Sequence, residues 1–280
     1  IDRVAETTKF NETYLLKGGN GDKTYHVHAH DAGLEGTLTE NTTKATFQMK
    51  ALQVGDSYAI GGTTYQIGAT SVGQALTVLE GGKDTDTPKT KDASGLSTEE
   101  TITIDGKSYT IVSASDADME QSKITAGQVF NLASAGSTIS YNGKSVTVFS
   151  KTDVDVDPNN KTLITATKAY SMVNSELKAA SSIGAESGKT AGVVTKTADE
   201  KINGVTYRKF EITRGSVTTK NDLTFNLHVG SDADMTNKIG VTIEKMDSKN
   251  LGLYGINVSD DSGKAATYAI DAIADAVAKV

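Results

Sequence analysis

LTFNLHVGSDADMTNKIGVTIEKMDSKNLGL, residues 223–253, decides how this chain is organised. Leu223–Val229 alternates large apolar side chains with others, and Lys238–Ile243 alternates again. Gly230-Ser231-Asp232-Ala233-Asp234 between them is turn-rich. Period-two alternation on both sides of such a break predicts a β-hairpin. Leu251-Gly252-Leu253 closes the strands, and an amphipathic helix follows a short link. Residues 1–19 are read as part of this same unit, with about 200 residues inserted between.

Working outward, the pattern from Thr24 to about Thr219 is β. Four stretches share one design: DSYAIGGTTYQIG (56–68), ETITIDGKSYTIV (100–112), STISYNGKSVTVF (137–149) and EKINGVTYRKFEI (200–212). Their central dipeptides are Gly61-Gly62, Asp105-Gly106, Asn142-Gly143 and Asn203-Gly204. Such residues accept the positive φ that two-residue hairpin turns demand. The flanking Tyr, Ile, Val and Thr suit strands. A looser parallel between 45–67 and 124–148 is open to two readings, duplication or convergence on hairpin chemistry. Residues 80–99 (EGGKDTDTPKTKDASGLSTE) carry no apolar period and predict a surface loop or linker. Spacing of Tyr170, Val173, Leu177 and Ala180 predicts a short helix over 168–183.

The 280 residues suffice for two or three domains, or for one large β domain. A net charge of −7 without a basic stripe argues against nucleic acid as a partner. No Cys is present, which removes disulfides, thiol nucleophiles and thiolate metal sites together. No stretch approaches the ~20 apolar residues of a membrane span. The chain starts at Ile1 and ends inside a helical pattern at Val280, so it is read as an internal fragment.

Residues 262–280 form the clearest helical pattern, ~28 Å long. Ser262 or Asp261 is the expected cap. Ala266, Ala269, Ile270, Ile273, Val277 and Val280 share one face at three- and four-residue spacing. The partner for that face is expected upstream of Ile1 or in another subunit.

The two ends together resemble bacterial flagellin. Arg3-Val4, Thr8, Phe10-Asn11 and Leu15-Leu16 resemble the segment by which that family leaves its long N-terminal helix and enters a hairpin. Val229-Gly230-Ser231 resembles the family's Q-[VI]-G-[AS] turn, and Leu251-Gly252-Leu253 its L-G-L. Gly255-Ile256-Asn257-Val258, then the Ala-rich helix with Ile270, Ile273 and Val277, resembles the start of its C-terminal helix. The match covers residues 1–19 and 221–280. Glu12 departs from the usual Gly, His228 from the usual Gln, and the large insert precedes the Val229-Gly230 hairpin where many members carry it afterwards.

The resemblance implies a structural subunit of the extracellular flagellar filament, not an enzyme, with no cofactor. It implies other flagellin subunits as partners, through terminal helices largely absent here. The fragment alone is expected to be a monomer with no membrane partner. Toll-like receptor recognition in the family uses the helical domain, chiefly upstream of Ile1, so at most weak innate-immune receptor contact is expected. The insert would form the variable outer surface, open to glycans. A carbohydrate-binding or adhesin module of a bacterial surface protein is the alternative, with Tyr58, Tyr65, Tyr109, Tyr141 and Tyr207 as its stacking face; alternating core positions explain these tyrosines more simply.

The expected fold is mainly β with a helical, discontinuous base domain, α+β in all. The expected domains are 1–20 with 221–280, then 21–90 and 91–220 as β modules, or one module nested in the other. Assembly residues are Phe10, Asn11, Leu15, Leu16, Val229, Gly230, Leu251, Gly252, Leu253, Ile270, Ile273 and Val277. Leu15-Leu16 should lie beside the 223–253 hairpin or the base of the last helix. His26, His28 and His30 alternate, so on a strand they would share a face and offer three imidazoles to Zn²⁺ or Ni²⁺. A polar strand face is the simpler reading, and HExxH is absent. Asp153, Asp155 and Asp157 resemble a calcium loop, but Pro158 stands where an EF-hand needs Gly and Ile164 where it needs Glu; a solvated turn is simpler.

Overall fold

The structure, a computed structural model, describes residues 1–82, 88, 95–196, 199–231, 237–259 and 263–280. The chain is mainly β, with 34% of the described residues in strands and 20% in helices. No helix among the described residues is long and apolar enough to cross a membrane. The helices are α1 (Asp2–Thr7), α2 (Val72–Leu79), α3 (Val129–Leu132), α4 (Ala166–Ala180) and α5 (Lys264–Lys279). Two compact units divide the chain: residues 1–49 with 174–280, and residues 50–173.

Residues 50–173 are built from the first three predicted hairpins. All three turn as expected, with positive φ at Gly61-Gly62, Asp105-Gly106 and Asn142-Gly143. Thr101–Ile104 and Thr138–Tyr141 pair antiparallel and merge two of the hairpins into a five-stranded sheet. Ser57–Ile60 and Thr63–Ile67 form a second sheet with Leu163–Ile164. Of the loose parallel between 45–67 and 124–148, only the hairpin halves share a backbone design, since Lys44–Lys50 is a strand where Val129–Leu132 is helical. Ahead of each hairpin stands a residue of positive φ, Gly55, Glu99 or Gly136. Its N–H donates to the carbonyl of Ile67, Ile111 or Val148, the last residues of the same hairpins. Two short strands then repeat a motif: Lys123-Ile124-Thr125-Ala126 and Leu163-Ile164-Thr165-Ala166. Each runs parallel to the outgoing arm of a hairpin, Ile124 opposite Ile111 and Ile164 opposite Ile67. Each ends in a Thr whose hydroxyl accepts a first-turn N–H, from Gln128 (3.3 Å) or Lys168 (3.1 Å).

Glu99 therefore occupies, at φ +69°, a position its two counterparts fill with glycine. An L-residue there costs about 1 kcal/mol. Glu99→Gly is expected to stabilise residues 50–173 by about 0.5–1 kcal/mol, part of the gain being lost to unfolded-chain entropy. Gly55→Ala should do the reverse, because its Cβ would also stand 2.9 Å from Val146 Cγ2. Urea midpoints of the two variants check both signs.

Residues 1–49 and 174–280 form one discontinuous unit because late strands return to early ones. Ser216–Lys220 pairs with Asp22–His26, Val217 opposite Tyr25. The fourth predicted hairpin, turning at Asn203-Gly204, joins a sheet in the order Gly192–Thr195, Val205–Thr213, Lys44–Lys50, Thr37–Glu40. Lys44–Lys50 alternates strictly, burying Ala45, Phe47 and Met49 against Phe210 and Ile212. Between Thr213 and Ser216 the Arg214 guanidinium turns inward, beside Glu40. Leu223–His228 and Lys238–Ile243 form the expected hairpin, Leu223 opposite Ile243. Residues 232–236 of its turn lie outside the described residues.

Three expectations need correction. The β modules do not divide at 90/91, a point outside the described residues: hairpin 56–68 stays with hairpins 100–112 and 137–149, because Leu163–Ile164 pairs with its outer arm. Residues 21–49 and 174–220 join the terminal segments instead, because Asp22–His26 and Lys44–Lys50 find their partners after residue 200. The unit containing both ends is consequently built largely of strands, with α1, the end of α4 and α5 as its helices.

Candidate assembly surface

The two ends of the chain meet in one unit. The Met246 N–H donates to the Leu16 carbonyl at 3.2 Å, and the Gly19 N–H to that of Asn221 at 2.7 Å. In α1, the Asp2 carboxylate accepts from the Ser248 N–H (2.7 Å) and hydroxyl (2.9 Å). These bonds hold its carboxyl below the ordinary aspartate range, the Ser248 N–H contributing most. Leu15 and Leu16 are half-buried there. Phe10 and Asn11 open a small hairpin, Lys9–Phe10 against Thr13–Tyr14, that turns through Asn11 (φ 46°) and Glu12 (φ 63°). The turn thus forms without a glycine, and Phe10 projects into solvent.

Leu251-Gly252-Leu253 has a backbone role. Leu251 is buried, and the Leu253 N–H donates to the Ser248 carbonyl at 2.8 Å. Gly184, at φ +80°, packs directly on this turn: a Cβ there would lie 2.0 Å from the Gly252 oxygen. Lys249 anchors the same turn through Glu186, 2.8 Å away. The hydrogen bond from Lys249, then that from Lys189, lowers the Glu186 pKa to about 2. Gly184 was invisible as a site residue, since nothing local marks a glycine needed for a distant backbone.

The 223–243 hairpin has one wholly apolar face. Leu223 opposes Ile243, Phe225 opposes Val241 and Leu227 opposes Ile239, whereas Thr224–Thr242, Asn226–Gly240 and His228–Lys238 fill the other face. Towards the turn this face is uncovered, with Leu227, Val229 and Ile239 exposed. Gly230 follows at φ +134°.

Helix α5 is inverted in the same sense. Tyr268, Ala269, Ala272 and Ala276 are its buried residues. Ile270, Ile273, Val277 and Val280 point outward, Ile270 at 64% and Val277 at 71% exposure. Periodicity located the helix, but only Ala269 of the predicted face is buried. Small residues turn inward because they permit close approach. The expected caps Asp261 and Ser262 lie outside the described residues; Gly263, at φ +68°, stands at the N-cap position without a side-chain hydrogen bond. The end of α4 meets the start of α5 without covering that outward face: Glu176 takes both the Lys264 ammonium and the Tyr268 hydroxyl. Burial, then this carboxylate, raises the Tyr268 pKa.

The chemical candidates have structural roles. His26, His28 and His30 do not converge: His28 Nδ1 is 2.9 Å from Glu40, while His30 is buried and faces Asp275 at 3.9 Å. Among the described residues no three His, Cys, Asp or Glu side chains could hold a metal ion. Asp157 is buried rather than solvated, and accepts from the Ser150 N–H and hydroxyl and from the Asn159 and Asn160 N–H groups. Burial pushes its carboxyl up, but these bonds more than offset it and leave the pKa below the ordinary value. Tyr58, Tyr109 and Tyr141 are core residues, and Tyr65 and Tyr207 are half-buried, which leaves no open stacking face of five rings. A crevice of about 840 Å³ lies where Lys17–Lys23 crosses Lys220–Thr224. Its Lys23 is paired with Asp222 at 2.6 Å, and its Lys220 with Asp22 at 2.8 Å.

No protein-family model, curated protein or solved structure matches the chain.

Proposed function

We propose that this chain is the central part of a bacterial flagellin, acting by assembly into an extracellular filament rather than by catalysis. The carrying observation is the outward Ile270–Ile273–Val277–Val280 stripe of α5. A soluble helix normally buries its large aliphatics and exposes its small residues. A helix that does the opposite is completed by another surface, here a further helical segment or a neighbouring subunit. Support comes from the same unit: Leu227, Val229 and Ile239, exposed on the 223–243 hairpin, and the exposed Ile1, Val4 and Phe10. The sequence resemblance falls on these elements, and they come together across more than 200 residues through the Leu16–Met246 and Asp2–Ser248 bonds. Residues 50–173 expose one large apolar side chain among those described, Met119, which suits a face turned to solvent. In this reading the strand-rich terminal unit belongs to a larger helical base.

The test uses the full-length protein that carries this chain. Filaments should be visible by electron microscopy in the parent and absent in the Ile273→Asp/Val277→Asp variant. The changes are exposed, so thermal unfolding of the 280-residue chain should move by no more than about 0.5 kcal/mol per site. Filaments from the double variant, or none from the parent under any assembly condition, would sink the proposal.

A further inference from the structure

His30 is the one buried histidine among the described residues. Its position is fixed from behind: its backbone N–H donates to Ser181 Oγ at 3.1 Å, and Ser181 is itself fully buried. Its ring sits in a slot shared with Ile183, Leu251, Ala272 and Asp275. The free space in that slot is about 10 Å³, at the lower limit for a single water. A charged imidazolium needs partners on both ring nitrogens. Asp275 Oδ2, 3.9 Å from Nε2, is beyond hydrogen-bond reach.

We propose that His30 is a proton-operated latch for α5. With a neutral ring the slot is filled and α5 stays docked on the Leu251–Gly252 turn. With room for at most one water and Asp275 out of hydrogen-bond reach, a protonated ring lacks partners in place, so α5 lifts to admit water. The charged and titratable groups acting on the ring are Asp275 and Asp271 from α5, His28 two residues before it, and Glu40 at the end of the following strand, Thr37–Glu40. Glu40 is already held by His28 at 2.9 Å and by Arg214 at 2.8 Å. Burial therefore wins over the two α5 aspartates, and the His30 pKa falls below its ordinary value of 6.5. The sign follows: the undocked state binds the proton more tightly, so docking is at full strength above 6.5 and weakens as pH falls towards the docked pKa. Within that window each pH unit changes the docking equilibrium by up to about tenfold.

Amide hydrogen exchange of the intact 280-residue chain, corrected for intrinsic rates, reads this directly. Between pH 7.5 and 5.5 the opening constant of peptides from 264–280 should rise severalfold, while peptides from 57–67 stay level. His30→Gln should abolish the response. Asp275→Asn, which removes the nearest counter-charge, should lower the His30 midpoint further. If His30→Gln does not fold, the wild-type ring titrated by NMR still decides. A midpoint at or above 6.5, a flat α5 response, or an unchanged response in the variant overturns the latch.

Discussion

Phe47→Ala is expected to cost the unit formed by residues 1–49 and 174–280 about 3–5 kcal/mol. Phe47 is fully buried on the Lys44–Lys50 strand, and its ring centroid lies 6.2 Å from that of the equally buried Phe210 at a 50° tilt. Those two strands are neighbours in one sheet although about 160 residues separate the rings. The pocket around Phe47 is tight: a Cβ on Gly36 would lie 2.3 Å from its Cζ. Truncation removes the transfer energy of a phenyl group, leaves a cavity that flanking strands cannot close, and forfeits an aromatic pair worth about 0.5–1.5 kcal/mol. Domains of this kind are stable by only about 5–15 kcal/mol. The variant should therefore lose its urea midpoint or shift it far down. Phe210→Ala should behave alike, and the double variant should cost less than the sum, because the ring pair is lost only once. Strict additivity would mean that the rings are not energetically coupled.

Arg214→Met is expected to cost about 3–5 kcal/mol through a different cause. The guanidinium, 9% exposed, donates to four main-chain carbonyls: Val27 at 2.9 Å, His26 and Asn41 at 2.8 Å, and Thr42 at 3.1 Å. It also pairs with Glu40 at 2.8 Å. One side chain thereby ties the end of the Asp22–His26 strand to the turn at 41–42. Methionine fills the volume but leaves these acceptors and a carboxylate without their donor. Arg214→Lys should recover little, since an ammonium cannot span donors spread over a planar fork. Because the group is shielded from solvent, the loss should change little between 50 mM and 500 mM salt, unlike that of a surface pair. Urea unfolding at the two salt concentrations provides the measurement. A loss below about 1 kcal/mol would show that water replaces the fork.

What was legible in the sequence is what depends on neighbours. Asn142-Gly143, Asp105-Gly106, Gly61-Gly62 and Asn203-Gly204 declare their turns because positive φ is a local requirement. The alternation around them declares strands because side chains change face at every residue. Leu223–Ile243 and α5 were legible for the same reason, and the Leu15-Leu16 meeting with the later hairpin followed from pairing two end segments. Partner choice was not legible. Hairpin 56–68 joins 163–164, and 44–50 joins 205–213, because backbone donors and acceptors are satisfied by whichever strand closes the core, and no residue type names that strand. Arg214 reads as one exposed charge beside Gly215 until the carbonyls of 26, 27, 41 and 42 surround it. In α5 the periodic Ile and Val side chains mark an apolar face, yet the alanines are the face turned inward. Helical periodicity determined which residues of α5 share a side; only the tertiary structure decided which side the protein covers, because close approach favours small residues and leaves the large ones for a surface outside this fold.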